Sequence, residues 1–241
     1  MEKYRSAVLK TFGWWMVFTV LLMLAVYSVA SDDGLYYQLQ TEAGVLDTAG
    51  ISAADLRLLD ERLSDGLFAP LNADTAFDNR EMEVFGSMQP PFNARELTHL
   101  YDCRRLLSPT QPGMLYAVLL LAAALLIFAG RRLRPEVVGS AWLASALVLL
   151  PIVMLGIWAA IDFGSAFNFF HRILFTNDLW LLNPETDLLI RICPSSMFAS
   201  MGLRIALRAA VILLGVPLLL TGLKWISNRV RKRKTNETVE L

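Results

Sequence analysis

The stretch IDFGSAFNFFHRILFTNDLWLLNPETDLLIRICPSSM, residues 161–197, lies between two apolar runs and resembles neither. It sets Asn177, Asp178, Asp187 and one of only two histidines in the chain, His171, among Phe167, Phe169, Phe170 and Trp180. It is too polar to cross a bilayer and too rich in aromatic rings for an ordinary soluble loop. The stretch therefore reads as backbone lying at a membrane surface, where amphipathic rings partition.

The runs on either side, Val137–Ala160 and Ile205–Ile226, meet the requirement of roughly 20 apolar residues for crossing a hydrocarbon core, as do Phe12–Ala30 and Met114–Gly130. Pro151 and Pro217 lie inside two of these runs and are tolerated in spanning helices. Over 241 residues, 55% are hydrophobic and the mean hydropathy is +0.47, more apolar surface than a soluble domain needs. The expected fold class is an all-α membrane protein with four transmembrane helices and a small helical extracytoplasmic cap.

Formal net charge is +0, but its distribution gives a topology. Lys3, Arg5 and Lys10 precede the first span, Arg131, Arg132 and Arg134 follow the second, and Arg229, Arg231, Lys232, Arg233 and Lys234 follow the fourth. The positive-inside rule makes all three cytoplasmic, so both termini are expected inside. The expected division is residues 1–30 as tail and first span, 31–112 as the cap, 113–160 as the second and third spans, 161–204 as the interfacial segment, and 205–241 as the fourth span and basic tail. Ser28-Val29-Ala30 resembles a secretory cleavage site, but its apolar run is longer than a usual signal core and favours an uncleaved anchor.

Residues 31–111 contain no lysine, and their fourteen acidic residues outnumber six arginines, as suits a solvated cap. Ser52–Phe68 is predicted helical: Ser52 caps it, Asp55 complements its positive end, and Leu56, Leu59, Leu63 and Leu67 share a face. After Pro90-Pro91 a second helix begins at Asn93, with Glu96 at capping-box spacing and His99 two turns in. Glu96, His99, Asp102 and Cys103 fall on one face, so either carboxylate is expected to orient His99 and raise its basicity. The plainer alternative is a surface helix with a solvated histidine. Glu-x-x-His also occurs in di-iron bundles, but only His171 is available as a further histidine, and no metal or other cofactor is expected.

Cys103 and Cys193 both fall in outer segments, where one disulfide could join them, but an even count of two is a weak signal and two free thiols are the favoured expectation. Asn183-Pro184-Glu185 resembles a helix start, and Leu188, Leu189, Ile190 and Ile192 form a short apolar run expected as an interfacial helix beside lipid tails. Arg204 and Arg208 open the last span, where they snorkel to headgroups or meet a lipid carbonyl or phosphate. The basic tail suits anionic lipid. Asn236-Glu237-Thr238 matches a glycosylation acceptor on the wrong side of the membrane.

The blocks FNARELTHLYDCRRLL and FNFFHRILFTNDLWLLNPETDLLIRICPSSMF resemble the two signature blocks of a family of bacterial four-span membrane proteins that includes lipoprotein intramolecular transacylases. The shared pattern is Glu-x-x-His-x-x-Asp followed by Phe-His, Phe-x-Asn-Asp-x-Trp and Asp-x-Leu-Ile; Cys103 and Cys193 depart from it. The resemblance implies a reaction in the cell membrane that moves one acyl chain of a diacylglyceryl-cysteine lipoprotein from glycerol to the α-amine of that cysteine, giving a lyso-form lipoprotein. The expected partners are that lipoprotein and membrane lipid, with no nucleic acid and a monomeric enzyme.

Such chemistry needs a base for an amine of pKa about 8 and an acid for the leaving alkoxide; histidine, with a pKa near about 6.5, serves as both. His171 and His99 are the expected catalytic groups, Glu96, Asp102, Asn177, Asp178, Trp180 and Asp187 the supporting ones, with Asn177 and Trp180 as candidate oxyanion donors. Two other classes remain: another lipid acyltransferase or esterase using the same histidines, and a non-enzymatic binding or sensor protein. The spans show no repeat and little mid-membrane charge, which disfavours transport.

Overall fold

A computed structural model of the chain describes residues 2–71, 77–110, 112, 115–116, 119 and 134–239. In chain order the elements are α1 (Glu2–Ala30), α2 (Asp33–Glu42), α3 (Val45–Thr48), α4 (Ala53–Phe68), β1 (Met82–Val84), β2 (Ser87–Gln89), α5 (Ala94–Leu107), α6 (Pro135–Ile161), α7 (Phe163–Leu174), α8 (Leu188–Ile192) and α9 (Ser195–Val239). They belong to two compact units. One comprises Met1–Met23, Gly113–Val153 and Ala206–Leu241, the other Leu24–Pro112 and Met154–Ile205.

The first unit is built from long apolar helices. Among the described residues three helices are long and apolar enough to cross a membrane, Tyr4–Ala30, Pro135–Ile161 and Ser195–Arg233. The second expected span, Met114–Gly130, lies almost wholly outside the described residues, as do Arg131 and Arg132. Small side chains let α6 and α9 approach closely: Ala141, Ala144 and Ala209 are fully buried, and the buried Ser145 donates its hydroxyl to the Leu213 carbonyl at 2.5 Å. Trp142 Nε1 donates to Thr221 Oγ1 at 3.2 Å, which with the Ser145 bond makes α6 and α9 antiparallel. Lys10 Nζ lies 4.0 Å from the Glu136 carboxylate. The starts of α1 and α6 and the finish of α9 are therefore at one end of this unit.

The fourth expected span began at Ile205, but α9 starts ten residues earlier, at Ser195. Pro194, which lacks an amide hydrogen, precedes its first turn, and its carbonyl accepts from Met197 N. Arg204 and Arg208 are thus exposed side chains within a continuous helix rather than at its opening.

The second unit has its own apolar core. Ser52 Oγ accepts from Asp55 N at 3.1 Å and starts α4, which buries Leu56, Leu59 and Leu63. These pack with Val45, Ile51, Phe92 and Leu100, and each large side chain so buried contributes roughly 1.5–3 kcal/mol. Gly66 lets the Phe77 ring approach closely, since a Cβ there would sit 2.2 Å from it. An antiparallel hairpin, β1 with β2, pairs Met82 with Gln89 and Val84 with Ser87. Its turn uses Phe85 and Gly86, both at positive φ. This hairpin is absent from the sequence expectation, because three-residue strands are too short to show a period of two.

Residues 183–192 depart from expectation in two ways. Asn183 does not start a helix: its side-chain oxygen accepts from Glu185 N at 3.0 Å, and the Asp187 carboxylate turns back to accept from Asn183 N at 2.8 Å. These bonds close a tight loop, and α8 begins only at Leu188. Nor does α8 lie beside lipid tails through its leucines. Leu188 and Ile192 are buried at 1% and 0% exposure in the core formed with α4 and Leu100.

Candidate active site

Helices α5 and α7 bring the two histidines together within the second unit. Asn93 caps α5 by accepting from Arg95 N and Glu96 N, and Glu96 closes the capping box on Asn93 N at 2.8 Å. Asp162 caps α7 in the same manner through Ser165 N at 3.0 Å. With both starts fixed, the His99 and His171 ring centroids lie 6.3 Å apart.

Each ring has a different environment. His171 Nδ1 sits 2.8 Å from the Phe167 carbonyl, one helical turn back. A carbonyl only accepts, so Nδ1 carries the hydrogen and Nε2 presents a lone pair. Burial holds the His171 pKa below the ordinary histidine value, with the Phe167 carbonyl opposing that shift. His99 is more deeply buried, at 7% exposure, and its pKa is lowered to about 4 by burial first and then by His171, with Asp102 opposing. Its Nε2 lies 3.6 Å from Cys103 Sγ, and its Nδ1 is buried without a hydrogen-bond partner. Burial and Asp102 push the Cys103 thiol up to about 12, so it is protonated at neutral pH and a poor nucleophile. A thiol hydrogen donated to Nε2 leaves the hydrogen of His99 on Nδ1.

The supporting residues are all present, with roles different from those expected. Neither carboxylate of α5 bonds to His99, and its basicity falls rather than rises, because desolvation outweighs Asp102. Glu96, 1% exposed, is used by two backbone amides: its second oxygen accepts from Leu189 N at 2.7 Å and anchors α8. Burial raises the Glu96 pKa against those amides. Asp102 accepts from Asn177 Nδ2 at 2.9 Å and from Arg105 at 3.3 Å. Asp187 accepts from Asn93 Nδ2, Thr186 Oγ1 and Asn183 N; burial works against these bonds, but they hold its pKa below the usual value. Asp178 takes part through its backbone, whose carbonyl accepts from Arg95.

The candidate oxyanion donors are likewise engaged. Trp180 Nε1 has a single hydrogen, which it donates to the Asn177 carbonyl at 2.9 Å. Asn177 uses one amide hydrogen on Asp102. Cys103 and Cys193 are both free thiols. Phe175 escaped the sequence reading: it is buried, 5.1 Å from His99 and 5.7 Å from His171 between centroids. Its signal was the spacing, since 167, 171 and 175 are successive i,i+4 positions on one helical face.

The model of the Lit family, lipoprotein intramolecular transacylase, matches residues 11–198, a span that includes both histidines. The chain belongs to this family. Membership makes it an acyltransferase, and the Lit family acts on lipoproteins. The fold agrees. The in meso structure of the membrane-integral Lit of Bacillus cereus is 19% identical, with a TM-score of 0.70 over 96% of this chain and 99% of that one. Two histidine variants of the same Lit protein are similarly related. The His-to-Arg form is 19% identical, with a TM-score of 0.67 over 93% of this chain and 96% of the other. The His-to-Ala form is 20% identical, with a TM-score of 0.66 over 97% of each chain. No curated protein matches the chain in sequence.

Proposed function

We propose that His171 is the base and acid of an O-to-N acyl transfer within one diacylglyceryl-cysteine lipoprotein. The observation that carries this reading is the pair of rings 6.3 Å apart, one offering a lone pair at Nε2 and the other a buried, unpartnered Nδ1. The α-amine, with a pKa of about 8, attacks the glycerol ester carbonyl as His171 Nε2 removes its proton. A tetrahedral oxyanion forms, and His99 Nδ1–H is the donor that meets it. The bond from acyl carbon to glycerol oxygen then breaks as His171 returns the proton to that oxygen. The products are an amide on the cysteine and a free glycerol hydroxyl, with no change in total mass. General acid–base help of this kind contributes roughly 10²–10⁴ in rate, and holding amine and ester of one molecule together contributes more.

The reading places four spans in the cell membrane, both termini in the cytoplasm and the histidines on the extracytoplasmic side. Support comes from the common end of α1, α6 and α9, where Lys10, Arg134 and Arg229 to Lys232 concentrate positive charge. Arg229 stacks over Trp225 at 3.9 Å, as suits a headgroup boundary. Arg204 and Arg208, exposed on α9, are proposed to meet lipid headgroups. The enzyme is read as a monomer that needs no cofactor.

Mass spectrometry of the N-terminal lipopeptide tests the reaction. A diacylated lipoprotein made beside this protein should yield a peptide of unchanged mass whose fragments carry one acyl chain on nitrogen. With His171→Ala both chains should stay on glycerol. Transfer undiminished in a correctly inserted His171→Ala variant would remove His171 from the reaction, and release of free fatty acid would indicate an esterase.

A further inference from the structure

Four aromatic rings surround the His171 imidazole. Their centroids lie 4.0 Å away for Phe167, 5.0 Å for Trp180, 5.7 Å for Phe175 and 5.8 Å for Phe170. All fall within roughly 6 Å, the range over which a cation is attracted to the π face of a ring. Phe167 and Phe175 hold their places by flanking His171 one turn to either side. Trp180 holds its place through the bond from its Nε1 to the Asn177 carbonyl, and Asn177 is tied in turn to Asp102.

Charged groups do not supply this stabilisation. Among the described residues no carboxylate forms an ion pair with His171. From α5 it faces His99, which burial keeps neutral at physiological pH. Asp102 is used by Asn177 and Arg105, and Glu96 by two amides. On its own helix the neighbour Arg172 is exposed, and so is Asp178 in the following loop. The imidazolium that forms when His171 accepts a proton is left with the Phe167 carbonyl and the rings. Rings suit this site better than a carboxylate would, because a fixed anion would also hold the substrate amine in its protonated, unreactive form.

We propose that Phe167, Phe175 and Trp180 form an aromatic cage that stabilises the imidazolium of His171, acting through it as positioning residues. The proposal rests on the reading of His171 as the base, and its test reads protonation rather than acyl transfer, so the two can fail separately. The chain has two histidines, so His99→Gln leaves one imidazole to observe. The His171 pKa is measured by NMR titration of the histidine-labelled protein in micelles, in the His99→Gln background, with and without Trp180→Leu, Phe175→Leu or Phe167→Leu. If the cage stabilises the cation, each leucine variant lowers the His171 pKa, by roughly half a unit to one unit, while Trp180→Phe keeps most of the original value. If the rings only exclude water, removing one admits solvent and the pKa rises or stays where it was, which overturns the proposal. Where one leucine variant does not fold, the other two positions give the same reading.

Discussion

Asn177 donates its side-chain amide to Asp102 at 2.9 Å across 75 residues of chain, and this bond ties the loop bearing Trp180 to the helix bearing His99. Within that loop, the Asn177 side-chain oxygen also accepts from Leu179 N at 3.1 Å. Removing either partner should therefore loosen both sides of the site without touching a histidine. Asp102→Ala and Asn177→Ala should each lower transacylation on the order of 10- to 100-fold, the loss that misplacement by about an ångström brings. Because they break the same bond, the double variant should lose little more than either single one. Fully multiplicative losses in the lipopeptide assay would show that the bond is not what matters.

Glu96 should be irreplaceable even by glutamine. It accepts two backbone amides from two helix starts, whereas glutamine has one acceptor oxygen and would turn an NH₂ group toward a donor. Glu96→Gln is expected to cost about 1–3 kcal/mol of stability through the unsatisfied amide. A thermal unfolding midpoint equal to that of the parent protein would contradict this account.

Acid should destabilise the histidine-bearing unit through His99. Its folded pKa, about 4, lies below the ordinary value of 6.5, so the neutral form is the one the fold prefers. The contribution is fully present above about pH 6.5 and is lost as pH falls toward 4, for a total on the order of 3 kcal/mol. Unfolding midpoints measured in detergent between pH 7 and 4 should fall in the parent protein and fall less in His99→Gln. Parallel curves for the two proteins would assign the acid sensitivity elsewhere.

Helix α8 gives a test of core against lipid. Leu188→Ala should cost about 2–5 kcal/mol, as expected for a fully buried leucine, whereas Ile190→Ala, half-buried, should cost less. Equal and small effects at the two positions would return α8 to the membrane surface.

Much of the chain was legible because its signals are local. The Asn93–Glu96 capping box, the Ser52 cap and the leucine stripe of α4 follow from residues three to seven apart, and all appear where the spacing puts them. Apolar length alone marked three long helices, and the two histidine blocks marked the family. The start of α9 lies ten residues before its apolar run, because hydropathy marks the span and not the helix that carries it, and the loop at Asn183 departs from the expected helix start for another reason. A proline and an asparagine signal a turn, but whether a helix follows at once depends on what the next carboxylate, here Asp187, finds to bond.

The sequence by itself determined a membrane protein with spanning helices, two capped helices in the segment after the first span, one of them carrying His99, and a family whose chemistry is acyl transfer; that His171 also sits on a capped helix came from the structure. Only the tertiary structure decided how the two rings differ. Glu96 meets Leu189, Asn93 meets Asp187 and Asp102 meets Asn177 across 93, 94 and 75 residues of chain, and no periodicity encodes such pairings. Burial then sets the basicity of each imidazole, and burial belongs to the packed core rather than to any residue in it.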